Sequence, residues 1–199
     1  MSNVVERRKE LTAEIGVIGV GHHVYWDQFD GLRQKLLNKL AVFESIVDSH
    51  SVHVHNFGLI DDSLSAYKAL EALKRTPLDL LFVDMLTYAT SATFAPLIRD
   101  VAVPIVLVAL QPLRAMDYAN GQIAIQLEND DICSLPEFAG VAVRMGKPVP
   151  PIVIGVLEGD PRADAEIAKW CQIAKVLHDV KRARIGLMGH VLEAMYDMH

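Results

Sequence analysis

Along most of the chain, short and wholly apolar runs alternate with stretches whose apolar residues recur every three or four positions. EIGVIGV (14–20) is a continuous run, the pattern of a strand covered on both faces. Phe29, Leu32, Leu36, Leu40, Phe43 and Val47 then fall on one stripe of a helix. SVHVHNF (51–57) alternates valine with histidine, which suits an edge strand with one polar face. In DDSLSAYKALEALKRT, Asp61, Asp62 and Ser63 are available to cap a helix, and Lys74 and Arg75 lie at its far end, where the dipole favours cations. LDLLFVD (78–84), VPIVLVAL (103–110) and PPIVIGVLEGD (150–160) predict three further strands. TSATFAPLIRD predicts a short helix broken around Pro96. Asp160 and Pro161 open a long helix whose buried stripe is Ile167, Trp170, Cys171, Ala174 and Leu177. ARIGLMG (183–189) reads as a sixth strand, and a helix begins after it with Val191, Leu192, Met195 and Tyr196.

Strands alternating with helices predict an α/β fold: a doubly wound, mainly parallel sheet of flavodoxin-like, Rossmann-like order, with helices on both faces. The uniformly apolar first strand belongs inside it and the His53/His55 strand near an edge. The expected organisation is a tail over 1–12, a flavodoxin-like domain over 13–148, and over 149–199 the truncated start of a second α/β domain. The connection 111–136 is long for a compact domain, and such connections are commonly functional. It leaves the carboxyl edge of the sheet, where open α/β sheets bind ligands.

Composition supports a packed core: 51% of the 199 residues are hydrophobic and the mean hydropathy is +0.23. A net charge of −6 and short basic runs flanked by acids argue against nucleic acid as a partner. The first residues lack the apolar core of a secretory signal, and no stretch is long and apolar enough for a membrane span. Cys133 and Cys171 stand far apart with no CxxC spacing, so the expected setting is the reducing cytoplasm.

Chemistry concentrates after the first strand, in IGVGHHVYWDQFDG (18–31). Gly19 and Gly21 begin a dinucleotide-binding fingerprint, but Val24 occupies the third glycine position and no acid ends the second strand. A Walker-type phosphate loop fails too, since Gly140 to Gly146-Lys147 is one residue too long and Pro148 stands where Ser or Thr must bind the metal. A phospho-acceptor site needs paired acids where His22 and His23 stand, which leaves Asp84 alone as a capping or loop carboxylate. His22 and His23 point to opposite sides if the chain there is extended. His53 and His55 share a strand face, about 7 Å apart, without a third metal ligand nearby, and read as solvent-facing. His50 and His178 read as surface positions, and Asp84, Asp130 and Asp131 as scattered over loops. His22, His23 and Tyr25 either pack beneath their loop or form a wall of uncharged donors and acceptors suited to a sugar.

VGHHVYWDQFDGLRQKL resembles the opening of L-arabinose isomerases and their L-fucose isomerase relatives, where a strand runs into a Gln-His-Leu-Tyr turn and a helix carrying Leu-Arg-Gln. LLFVDMLTYATSATF, VPIVLVALQ, EFAGVAVRMG, EIAKWCQIA and ARIGLMGHVLEAMYDM are similar, in the same order, to later segments of that family's N-terminal portion. The resemblance implies a substrate-contacting role for His22, which replaces a glutamine, for Tyr25, and for Tyr88, which replaces a phenylalanine lining the sugar site. It extends to Asp130 and Cys133, which stand where the family carries a glutamine and a histidine, a departure that puts L-arabinose itself in doubt.

That family's enzymes are much longer, and their divalent metal, manganese or similar, rests on two glutamates and two histidines of a later region with no counterpart here. The resemblance therefore implies a sugar-contacting N-terminal part of a metal-dependent aldose–ketose isomerase, incomplete for catalysis, without catalytic or metal-ligating residues of its own and functioning as a homo-oligomer. The alternative is a non-catalytic Rossmann-like domain that binds a small ligand or a partner.

Overall fold

The computed structural model describes residues 10–186. Five parallel strands form one sheet in the order β2-β1-β3-β4-β5. They are β1 (Glu14–Val20), β2 (His53–Ile60), β3 (Leu80–Met85), β4 (Ile105–Gln111) and β5 (Ile152–Val156). The helices are α1 (Leu32–Asp48), α2 (Ser63–Arg75), α3 (Ser91–Asp100), α4 (Ile123–Glu128), α5 (Leu135–Arg144) and α6 (Pro161–Arg182). This is the flavodoxin-like doubly wound order, with β1 interior and the histidine-bearing β2 at an edge.

Alternation along each strand sorts the core into two layers. Ile15, Val17, Phe82, Val106 and Val108 face α1 and α6, where Phe43 meets Phe82 edge-on at 5.6 Å. Ile18, Leu81, Val83 and Leu107 face α2, α3 and α5, where Phe94 stacks on Phe138 at 4.5 Å. Asp62 caps α2 through a reciprocal box: its carboxylate accepts from the Ser65 N–H at 2.6 Å and its own N–H donates to Ser65 Oγ at 3.0 Å. Asp160 caps α6, with Pro161 in the first turn.

Several sequence expectations change. The unit expected to open at 149 joins the first sheet, because β5 pairs with β4 along Leu107–Gln111 and α6 returns across the sheet to β1. Pro96 sits inside a continuous α3; proline withdraws only one donor, and a short helix buried along Phe94, Leu97 and Ile98 tolerates that loss. The second strand runs on to Ile60 through a bulge at Gly58, whose φ is +75°. His178 is buried rather than superficial, since its Nδ1 donates to Asp79 at 2.7 Å. Most of the expected sixth strand, and the helix after it, lie outside the described residues; residues 183–186 have no regular structure.

Asp79 organises the amino edge of the sheet. Its carboxylate accepts from the Glu14 N–H, from His178 and from Lys181, joining β1, the start of β3 and the end of α6. Burial pushes this carboxyl up, but those three donors outweigh it and hold it below the usual carboxylate range. The outer edges of the sheet differ: β2 is bulged and polar, whereas β5 exposes Ile152 and Ile154 on one face. Among the described residues no helix is long and apolar enough to cross a membrane.

Gly19 and Gly21 serve packing. A Cβ on Gly19 would strike the Leu86 side chain, and one on Gly21 would press on Trp26 and Leu59 at 3.2 and 3.3 Å. Gly19→Ala is expected to cost about 1–3 kcal/mol by urea denaturation, through overpacking. Unchanged stability would refute the packing role.

Candidate functional site

Three chain segments meet at the carboxyl edge of the sheet. After β1, His22 is extended and residues 23–25 form a single 3-10 turn. That turn is anchored from below: Trp26 Nε1 donates to Asp61 Oδ2 at 2.7 Å, and His23 Nδ1 lies 3.2 Å from the Asp61 carbonyl. The turn also corrects the expectation that the two histidines diverge, since their rings lie 5.3 Å apart, edge to face. His22 is central. Its ring meets Tyr25 at 5.5 Å and Tyr88, from the β3–α3 loop, at 6.0 Å. Its Nδ1 is buried and has no hydrogen-bond partner among the described residues. Burial, then the neighbouring His23, lowers its pKa, which favours the neutral ring at neutral pH.

The third segment is the turn 129–134 between α4 and α5. Cys133 hydrogen-bonds Asp130, and both lie close enough to Tyr25 to raise its phenol pKa, after the larger effect of burial. Of the five residues singled out from sequence, the rings of Tyr25 and Tyr88 both meet His22, and Asp130 and Cys133 lie within electrostatic reach of Tyr25. A cavity of about 380 Å³ opens beside Asp130, lined by Tyr118, Gln122, Gln126 and Asn129 among others. The apolar cavity of about 390 Å³ between Val101–Ile105 and Lys147–Pro151 lies at the opposite edge, far from the rings.

Sequence reading missed what lies beneath. Lys39 occupies a core position on the α1 stripe and is only 5% exposed. Its ammonium donates to Asp131 Oδ1 and, at 3.2 Å, to the Leu86 carbonyl. Asp84, at the end of β3, is fully buried on the same face, and neither of its oxygens has a partner among the described residues; Asp131 Oδ2 and Thr87 Oγ1 are in the same position. The acids expected to be scattered therefore belong to one cluster, because the connection folds back onto α1. Burial raises both Asp84 and Asp131 to about 7 against the opposing pull of Lys39. A lysine at core spacing and an aspartate ending a wholly apolar strand were the available signals.

The connection itself is pinned. Asn129 Oδ1 accepts from the Leu113 N–H at 2.9 Å, the Asn129 carbonyl accepts from Gln111 Nε2 at 2.5 Å, and Ser134 Oγ accepts from the Ala89 N–H at 2.9 Å. Lys35 pairs with Glu128 at 2.5 Å.

Among the described residues no three His, Cys, Asp or Glu side chains converge as ligands for a metal ion. Asp84 and Asp131, the most promising carboxylates, already flank the Lys39 ammonium, which takes the place a cation would need. On β2, His53 is exposed at the sheet edge and His55 Nε2 lies 2.6 Å from Glu14 Oε2. These residues do not fit a divalent metal centre.

No protein-family model and no curated protein matches the chain. Among solved structures, the aryl esterase of M. smegmatis superposes with a TM-score of 0.46 at 14% identity, covering 81% of this chain and 99% of the other. The response regulator domain of Thermotoga maritima CheB gives 0.39 at 14%, covering 81% and 96%. A carbohydrate acetylesterase from Sinorhizobium meliloti gives 0.39 at 15%, covering 83% and 99%. Superpositions this loose transfer no chemistry to this chain.

The raised carboxyls fix a pH dependence. A folded-state pKa above the unfolded one means that the native state holds more protons between roughly pH 4 and 7, so its stability falls as pH rises through that window. Asp84→Asn, which stays neutral, is expected to flatten that fall and to exceed the parent in stability at pH 8 by more than about 1 kcal/mol. Urea denaturation at pH 5 and pH 8 measures it, and an equal loss at both values would overturn the assignment.

Proposed function

We propose that this chain is the sugar-contacting N-terminal part of a metal-dependent aldose–ketose isomerase of the L-arabinose/L-fucose type. The observation carrying this reading is the meeting of the Tyr25 and Tyr88 rings at His22, with Asp130 and Cys133 within electrostatic reach of Tyr25. Tyr88, Asp130 and Cys133 come from two segments remote from His22 and Tyr25, and they are indicated by resemblance, not by proximity in sequence.

The chemistry of the wall agrees with a polyol. A neutral imidazole offers one donor and one acceptor, a phenol offers both, and Asp130 accepts from a hydroxyl. No lysine or arginine is among the five, so a phosphate would find no counter-charge there. Tyr25 and Tyr88 give the apolar faces of a sugar ring something to pack against. In such isomerases the metal polarises the carbonyl and hydroxyl oxygens at C1 and C2. That part of the reaction requires donors from elsewhere, because these residues do not form a metal centre. In this reading the chain binds, orients and partly desolvates the sugar.

Two measurements test it. Titration of the chain with L-arabinose, L-fucose and, as a charged control, ribose 5-phosphate should perturb the NMR signals of His22, Tyr25 and Tyr88 with the neutral sugars only. His22→Ala or Tyr88→Ala should weaken that binding about fivefold to tenfold, the loss of one or two hydrogen bonds. The chain alone with manganese, cobalt or magnesium should form no ketose. Preference for the phosphorylated sugar, or metal-dependent turnover abolished by His22→Ala, would refute the assignment.

A further inference from the structure

The buried cluster beneath the rings contains one cation and two carboxyls whose charges do not balance if all are ionised. Lys39 faces Asp131 directly, and Asp84 lies within electrostatic reach of both. Asp131 is adjacent in sequence to Asp130 and two residues before Cys133, the two groups of this segment within electrostatic reach of Tyr25. Whatever holds Asp131 in place therefore sets where that wall stands.

We propose that Lys39 is a positioning residue whose ammonium is contested by Asp131 and Asp84, so that one proton on this carboxyl pair decides how firmly the 129–134 turn, which carries Asp130 and Cys133, is held to α1. With Asp84 neutral, Lys39 serves Asp131 alone, and the turn is fastened to α1 by a buried charge-assisted hydrogen bond. With Asp84 ionised, the same ammonium answers two buried carboxylates. The attraction is divided, like charges repel across the pair, and the turn loosens.

Among the described residues, few groups face this pair. Lys39 approaches from α1, Asp130 adjoins Asp131 on the turn, and Thr87 and the Leu86 carbonyl lie at the end of β3. Glu128 is already matched by Lys35. The neutral pins at Asn129 and Ser134 are indifferent to pH, so they limit the movement without cancelling it. The Asp84 and Asp131 carboxyls, both pushed up by burial, put the exchange in the neutral range.

This inference takes its significance from the ligand reading above, but its test uses no sugar. The N–H groups of Leu113 and Ala89 donate to Asn129 Oδ1 and Ser134 Oγ at the two ends of the turn, so their amide hydrogen exchange reports on its opening. Exchange rates of the intact chain between pH 5.5 and 8.5, divided by the intrinsic rate at each pH, should rise about threefold to tenfold through neutrality as the turn opens more often. Asp84→Asn should remove that step and keep the slow, low-pH rate throughout. In the parent chain, carbon-13 NMR of the carboxyls should show a shared titration of Asp84 and Asp131 near neutrality, which decides the matter even if the variant folds poorly. A corrected rate that is flat with pH, a step that survives Asp84→Asn, or both carboxyls titrating in the ordinary acid range would each overturn the proposal. A flat profile leaves sugar binding untouched, and failure to bind sugar leaves the profile untouched.

Discussion

A parallel sheet covered on both faces has nowhere to keep polar chemistry except at the ends of its strands. Here β1, β3 and β4 are buried along almost their whole length, so their backbone groups are satisfied by neighbouring strands and their side chains by helices. Polar side chains are displaced to the two rims. At the amino rim Asp79 joins β1, β3 and α6 with every carboxylate contact supplied. At the carboxyl rim Lys39, Asp84 and Asp131 form a cluster that leaves acceptors over. One rim is a structural joint with its charges settled. The other carries an imbalance directly beneath the rings of the candidate site.

Period made the sheet legible. Strands buried on both faces read as uninterrupted apolar runs, and the alternating His53-Val54-His55 segment marked an edge, because only one of its faces meets the core. Boundaries were harder. The bulge at Gly58 carries β2 past the point where alternation stops, and β5 gave no sign that it would close the first sheet rather than open another. Pairing between β4 and β5 is a long-range event, and sequence spacing does not encode it.

The site was legible to a different degree. His22 and Tyr25 lie three residues apart just past the end of β1, and that strand end explains their position. Tyr88, Asp130 and Cys133 came only through resemblance, since no local pattern links them to His22. Asp84 looks like a bystander in the sequence because the charges that act on it are remote: Lys39 and Asp131 approach it only when α1 and the long connection fold together. His178 was misjudged for the same reason, its carboxylate partner being 99 residues away. Buried ion pairs between distant segments leave little trace in sequence beyond a charged residue at core spacing.

The unlike edges of the sheet have a consequence of their own. On the β2 side, the bulge and the polar residues His53 and Asn56 disrupt the flat ladder that an incoming strand would need. On the β5 side, a straight strand presents Ile152 and Ile154, 41% and 50% exposed, without any such obstruction among the described residues. Growth of the sheet is thus directional: among the described residues, another strand has a template at the β5 margin and an obstacle at the β2 margin.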